Sequence, residues 1–241
     1  MKTPWNNMKT TQYLRKGFNI GDIFNLLDDR RYLKETYYTE FPHSGLWLFC
    51  GSQGQGKTTS ALEFAINILR DYPKCKLCTN VEFNMPSDMP NQVSEFTSTD
   101  DLALYGSNGL DGVIFLIDEI HLCWNSLESK TCTPADMIEF AQSRKQRRMI
   151  IGTSQRVNRL AKPAREQLKY VIDCRCRLGM LQQNTLIDMD ECIENMDGTV
   201  TIKGGKQYWF FHDWQLRHSY DTYQKMKRVT AKNANVKGWR K

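Results

Sequence analysis

The chain has 241 residues, 40% hydrophobic and 25% charged, an ordinary globular composition that allows one large domain or a domain with appendages. No apolar run approaches the ~18 residues of a membrane-spanning helix and no apolar signal region opens the sequence, so the expectation is a protein with no transmembrane segment of its own that stays where it is made. Net charge is +6 but uneven: Lys225 to Lys241 holds seven Lys or Arg and no acid, which suits a polyanion or a solvated tail equally.

Residues 1–43 read as an arm or subunit-contact segment. Ile20, Ile23, Phe24, Leu26 and Leu27 have the spacing of a short amphipathic helix, and four aromatics between Tyr32 and Phe41 predict packing against something, such as a neighbouring subunit. A core is expected over 44–180. It opens with Leu46-Trp47-Leu48-Phe49-Cys50, a short apolar run with the character of a buried strand. Gly51-Ser52-Gln53-Gly54-Gln55-Gly56-Lys57-Thr58 follows and fits G-x-x-x-x-G-K-[ST], the phosphate loop of P-loop NTPases. Leu62, Ala65, Ile66 and Leu69 then predict a helix from Lys57 to about Asp71, stopped by Pro73. The glycines let amide N–H groups turn inward on a phosphate, and the helix N-terminus adds partial positive charge. The predicted ligand is ATP with Mg²⁺, bound by Gly51 through Thr58 and the adjacent Thr59. Lys57 would reach the β- and γ-phosphates, and the Thr58 hydroxyl would hold Mg²⁺.

Lys76 to Val81 is a second candidate strand, followed by a Pro- and Met-containing loop to about Ser98. Thr99-Asp100-Asp101-Leu102 has the look of a helix cap, and Gly106 to Gly112 is a turn-rich connection. Val113-Ile114-Phe115-Leu116-Ile117 predicts a fully buried strand with Asp118 and Glu119 at its C-terminal end, where parallel sheets bind ligands. About sixty residues after a phosphate loop, these acids read as a Walker B pair: Asp118 for Mg²⁺, Glu119 to orient or deprotonate the attacking water. For His121 and Trp124, just beyond, ordinary packing is the default expectation.

Thr133-Pro134-Ala135-Asp136 predicts a capped helix start. That helix is expected to end in Arg144, Lys145, Arg147 and Arg148, a cluster that suits the helix dipole, DNA contact, or an arginine presented to a neighbour's nucleotide. Met149 to Gln155 is a third buried strand ending in polar residues, with Gln155 expected beside the γ-phosphate. Pro163 to Leu168 predicts a short helix, and Tyr170 to Arg177 another strand. Beyond it, Leu186 to Met189, the turn Asp197-Gly198, Val200 to Ile202, the turn Gly204-Gly205 and Tyr208 to Phe211 predict an antiparallel meander, an extension over 181–223 that completes the domain; 224–241 is the basic tail. The fold class expected is α/β: a P-loop NTPase core with a mostly parallel sheet flanked by helices, plus this C-terminal antiparallel extension. The eight cysteines read as reduced thiols, with a zinc site from Cys75, Cys78, Cys174 and Cys176 as the minor alternative.

The phosphate loop, Asp118-Glu119-Ile120-His121 with Trp124, Gln142-Ser143-Arg144, Thr153-Ser154-Gln155 and the late Tyr220-Asp221-Thr222-Tyr223 together resemble one group. The chain is similar, over roughly Gly45 to Tyr223, to the ATPase domain of the zonular occludens toxin family, the assembly ATPases of filamentous phages within the HerA/FtsK-type superfamily. In those phage proteins a transmembrane helix follows this domain, whereas here a basic stretch does, which is more similar to the small packaging ATPases of viruses with an internal membrane. The resemblance implies ATP-driven movement of viral DNA into a capsid by a homo-oligomeric ring, expected to be a hexamer, with capsid or portal-vertex proteins as partners. It would work in the host cytoplasm or at a packaging vertex of the virion. DNA would be held through phosphates with little sequence preference. A ring site would be completed in trans by one of Arg144, Arg147, Arg148, Arg156 or Arg165. The alternatives are a filamentous-phage-type assembly and secretion ATPase, a DNA-replication ATPase, and a nucleotide-gated scaffold with little hydrolysis.

Overall fold

A computed structural model describes residues 41–127, 132–194, 200–202 and 205–212. The amphipathic helix near Ile20, the turn at Asp197-Gly198, the late Tyr220 to Tyr223 motif and the basic stretch 224–241 lie outside the described residues. Of the N-terminal segment, Phe41 is buried and its N–H donates to Leu110 O (2.8 Å).

The architecture is an eight-stranded, mostly parallel α/β sheet. Its strands are β1 (Gly45–Cys50), β2 (Lys76–Thr79), β3 (Val93–Glu95), β4 (Val113–Ile117), β5 (Arg148–Ser154), β6 (Leu168–Arg177), β7 (Leu181–Asp188) and β10 (Lys206–Phe211). They lie in the order β10-β7-β6-β1-β5-β4-β2-β3. Strands β6, β1, β5, β4, β2 and β3 run parallel, and β7 and β10 add an antiparallel edge. A separate two-stranded sheet pairs β8 (Cys192–Glu194) with β9 (Val200–Ile202).

The period-two alternation of a strand divides the apolar side chains between two layers. On β1, Trp47 and Phe49 face α1 (Lys57–Asp71), while Leu46, Leu48 and Cys50 face the opposite layer, where Trp124, Phe140 and Ala164 pack. Tyr72, Phe83, Met85 and Met89 pack against the α1 side. The helix buries polar Ser60, Glu63 and Asn67 as well as its apolar face, with Asn67 donating to Glu63 (3.2 Å). The other face carries α3 (Pro134–Gln142), started by Thr133 and Asp136 in a reciprocal capping box, and α4 (Lys162–Arg165).

Several boundaries differ from expectation. The loop expected up to Ser98 contains β3, a three-residue edge strand too short to show alternation. The helical turn expected near Thr99 is α2 (Asp101–Leu104), where Asp101 accepts from the N–H groups of Thr97 (2.6 Å) and Ser98 (2.9 Å). Helix α3 stops at Gln142, so the basic cluster is not its last turn: Arg147 sits in a left-handed turn (φ 51°) and Arg148 begins β5. Strand β7 starts at Leu181 rather than Leu186, because buried Gln182, Gln183 and Asn184 break the apolar pattern. The zinc alternative fails on topology. Cys78 is on β2 and Cys174 on β6, with three strands between them, about 19 Å at the ~4.8 Å strand spacing.

Candidate active site

Strand order, not sequence order, assembles the site. Because β5 lies between β1 and β4, the polar end of β5 stands between the phosphate loop and the two acids. All three strands are parallel, so their C-terminal ends open on one edge, the edge where open α/β sheets receive ligands.

The loop leaves β1 at Cys50 and enters α1 through Gly56, which is left-handed at φ 70° and ψ 25°. The Gly56 cap supplies no side-chain hydrogen bond and the first turn holds no acid, so the first-turn amides of α1 form an anion-binding N-terminus of the kind a polyphosphate needs. Gly51 is equally constrained: a Cβ there would come within 2.6 Å of Cys174 O. Lys57 folds across the loop, its Nζ donating to Ser52 O (3.2 Å).

The Thr58 hydroxyl donates to Asp118 Oδ1 (2.8 Å), joining residues sixty positions apart. The same oxygen accepts from Thr153 Oγ1 (2.5 Å), and Thr153 Oγ1 in turn accepts from Glu119 N (2.9 Å). A hydroxyl beside a carboxylate is the hard oxygen pair that a small divalent cation takes. Asn80, at the end of β2, fixes the backbone of Asp118 from both sides: Asp118 N donates to Asn80 Oδ1 (2.8 Å), and Asn80 Nδ2 donates to Asp118 O (3.1 Å).

Glu119 is held in a left-handed conformation (φ 49°, ψ 49°), which costs a non-glycine residue about 1–2 kcal/mol. Such strain tends to persist where surrounding structure aims a side chain. Its Oε2 lies 3.1 Å from His121 Nδ1, close enough for an ion pair but without hydrogen-bond geometry. Burial, and then the charge of Asp118, push the Glu119 carboxyl above the usual range, with Lys57 and Arg159 acting against them. Burial and then Arg159 push the His121 imidazole down. His121 Nδ1 also lies 3.3 Å from Ser154 Oγ. Trp124 is fully buried 4.9 Å from the Phe140 ring, and His121 is buried as well, packed between Glu119 and Ser154.

Gln155 directly follows β5 on the phosphate edge, half-buried. The basic residues are dispersed. Arg156 is exposed on the same edge; Arg144 is exposed and Arg147 half-buried at the opposite, N-terminal end of β5; Arg165 is half-buried at the end of α4. Arg148 is fully buried, bonded to Glu139 Oε2 (2.7 Å), and lies over the Phe115 ring, so it cannot reach a neighbouring subunit. This corrects its candidacy as an arginine finger. Among the residues not singled out from the sequence, Asn80 carried a usable signal, a polar residue ending a parallel strand, and Gln182 carried little; Thr153 belongs to the Thr153-Ser154-Gln155 motif, but its bond to Asp118 is visible only in the fold.

No curated protein matches this chain. Among solved structures, the chain is similar to the N-terminal domain of zonular occludens toxin from Neisseria meningitidis, at 16% identity and TM-score 0.48 over 74% of this chain and 99% of that one. It is also similar to the genome packaging NTPase B204 from Sulfolobus turreted icosahedral virus 2 in complex with ATP-gammaS, at 14% identity and TM-score 0.44 over 66% of this chain and 96% of that one. A third is the flagellar accessory protein FlaH from Methanocaldococcus jannaschii, at 11% identity and TM-score 0.41 over 72% and 91%. The zonular occludens toxin (Zot) family profile matches residues 45–208, a span that holds the phosphate loop, the paired acids and the polar end of β5. With well over half of its length inside that match, the chain belongs to the zonular occludens toxin family.

Proposed function

We propose that this chain is an Mg²⁺-dependent ATPase that couples cleavage of the β–γ phosphoanhydride bond to movement of viral DNA into a capsid. The observation that carries the reading is the 2.8 Å bond from Thr58 to Asp118, made beneath an uncapped, glycine-rich helix N-terminus with Glu119 next in sequence. Mg²⁺, when bound, neutralises charge on the β- and γ-phosphates. Thr58 and Asp118 are the residues that would hold it. The amides of Gly51 through Thr59 and the Lys57 ammonium bind and orient the phosphates. Glu119 and Gln155 hold the attacking water.

Phosphoryl transfer needs positioning and charge neutralisation more than covalent chemistry, so a cation supplied by a neighbouring subunit has a role. In a ring, Arg144, Arg147, Arg156 and Arg165 remain the candidates for that cation. DNA is held through its phosphates by exposed basic residues, among which Arg144, Lys145, Arg156 and Arg159 stand on the described surface. In this reading residues 44–180 and the extension 181–223 act as one unit, with 1–43 contacting a neighbour and 224–241 contacting nucleic acid. Capsid or portal-vertex proteins are the partners, and the host cytoplasm or the packaging vertex is the place of action. No helix among the described residues is long and apolar enough to cross a membrane.

The test is ATP turnover by the purified chain, with and without double- or single-stranded DNA, with Lys57→Ala as control. Stimulation by DNA that the substitution abolishes is the expected result. Nucleotide-dependent oligomers without turnover under any condition would overturn it in favour of a scaffold. Family membership favours a second reading, a filamentous-phage-type assembly ATPase. A preference for single strands together with co-purification with membranes would select that one.

A further inference from the structure

The phosphate loop leans on a part of the sheet outside both motifs. Gln182, the second residue of β7, is fully buried, yet all its polar atoms are engaged. Its Nε2 donates to Gln55 O (3.1 Å) and to Asn184 Oδ1 (2.9 Å), and its Oε1 lies 3.0 Å from His212 Nε2. Asn184 Oδ1 also accepts from Ser60 Oγ on α1 (3.4 Å), and Gln55 Oε1 accepts from Cys176 N on β6 (3.0 Å). A Cβ on Gly56 would collide with Gln182 Oε1. The β6–β7 hairpin therefore grips Gln55 through its backbone and its side chain, and closes the space beside the loop's last glycine.

The choice of side chain is informative. A buried amide costs free energy unless every donor and acceptor is satisfied, and an apolar residue would fill the same volume without that demand. What the amide adds is a hold on one carbonyl. In a trans peptide the C=O and the following N–H point in opposite directions, so drawing Gln55 O toward β7 aims the Gly56 N–H away from it. We propose that Gln182 is a positioning residue for nucleotide binding: it sets the Gln55–Gly56 peptide so that the Gly56 N–H faces the phosphates. The inference rests on the reading of this loop as a polyphosphate site, and it makes the antiparallel edge part of the binding machinery rather than an appendage.

The experiment measures the Kd of Mg-ATP and Mg-ADP calorimetrically on the full chain, alongside Tm. Gln182→Met keeps length and removes the hydrogen bonds; Kd is expected to rise about tenfold for both nucleotides. In turnover assays KM should rise with it while kcat stays within about threefold, because the acids that follow β4 are untouched. Where Gln182→Met does not fold, His212→Ala at a half-buried position replaces it, with a rise in Kd of about threefold expected. An unchanged Kd accompanied only by a lower Tm overturns the inference and leaves the ATPase reading standing. Failure of the unsubstituted chain to bind either nucleotide overturns both.

Discussion

At the residue scale the site turns on Glu119, whose position is fixed by neighbours rather than by its own preference. Thr153 takes its N–H, Asn80 holds the preceding residue on both sides, and His121 lies against its carboxylate. An acid held this way in a left-handed backbone is aimed, and burial makes its ionised form costly. In the proposed reaction, a role for it in turnover is separable from nucleotide binding. Glu119→Gln preserves shape and removes the base, so the nucleotide Kd should stay near that of the unsubstituted chain while turnover falls by roughly 10²–10⁴-fold. Equilibrium binding and steady-state hydrolysis on the same preparation check this. Retained turnover would assign the water to another group, with Gln155 next in place.

At the scale of elements, α3 is tied to the sheet by one charged pair under an otherwise apolar layer. Glu139 on α3 meets Arg148 at the start of β5 at 2.7 Å, with the guanidinium wholly buried over Phe115. Among the described residues, Arg148 Nε and Nη1 have no hydrogen-bond partner, and burial pushes its pKa down. Glu139 is thus the main compensation for a buried cation. Glu139→Ala should lower unfolding free energy by about 3–5 kcal/mol, whereas Glu139→Leu with Arg148→Met should recover most of that loss. Urea unfolding of the two variants against the parent measures both. A double variant as unstable as the single one would mean that the pair contributes packing rather than charge compensation.

For the whole molecule, two layers of apolar side chains on a single sheet leave distinct environments for the eight cysteines. Cys50, Cys75, Cys78, Cys123 and Cys174 are buried, and Cys132, Cys176 and Cys192 are half-buried. Burial pushes the thiols of Cys50, Cys78 and Cys123 up to about 12 and that of Cys132 to about 11. At pH 8 a thiolate-selective reagent should therefore label at most the three half-buried cysteines of the native protein, and the remaining five only in denaturant. Mass spectrometry of the labelled chain gives the count and the positions. Rapid labelling of Cys78 or Cys174 under native conditions would contradict the layered arrangement.

The sequence alone was enough for the local elements whose signal is carried by contiguous residues. The phosphate loop between an apolar strand and an amphipathic helix, the buried strand ending in Asp118 and Glu119, and the capped start of α3 at Thr133 all follow from short-range pattern and backbone sterics. Tertiary structure decided what depends on which strands are neighbours. Insertion of β5 between β1 and β4 brings Thr153 to Asp118, and β2 beside β4 brings Asn80 to the same acid. Folding β7 back along β6 buries Gln182 under the loop, where no apolar periodicity could announce it. Arg148 shows the converse: in sequence it is one more member of a basic cluster, and in the fold it is a core residue. The reason is the same in each case. Periodicity reports which face of an element is apolar, whereas the partner of a buried polar group is set by strand order, which pairs residues tens of positions apart.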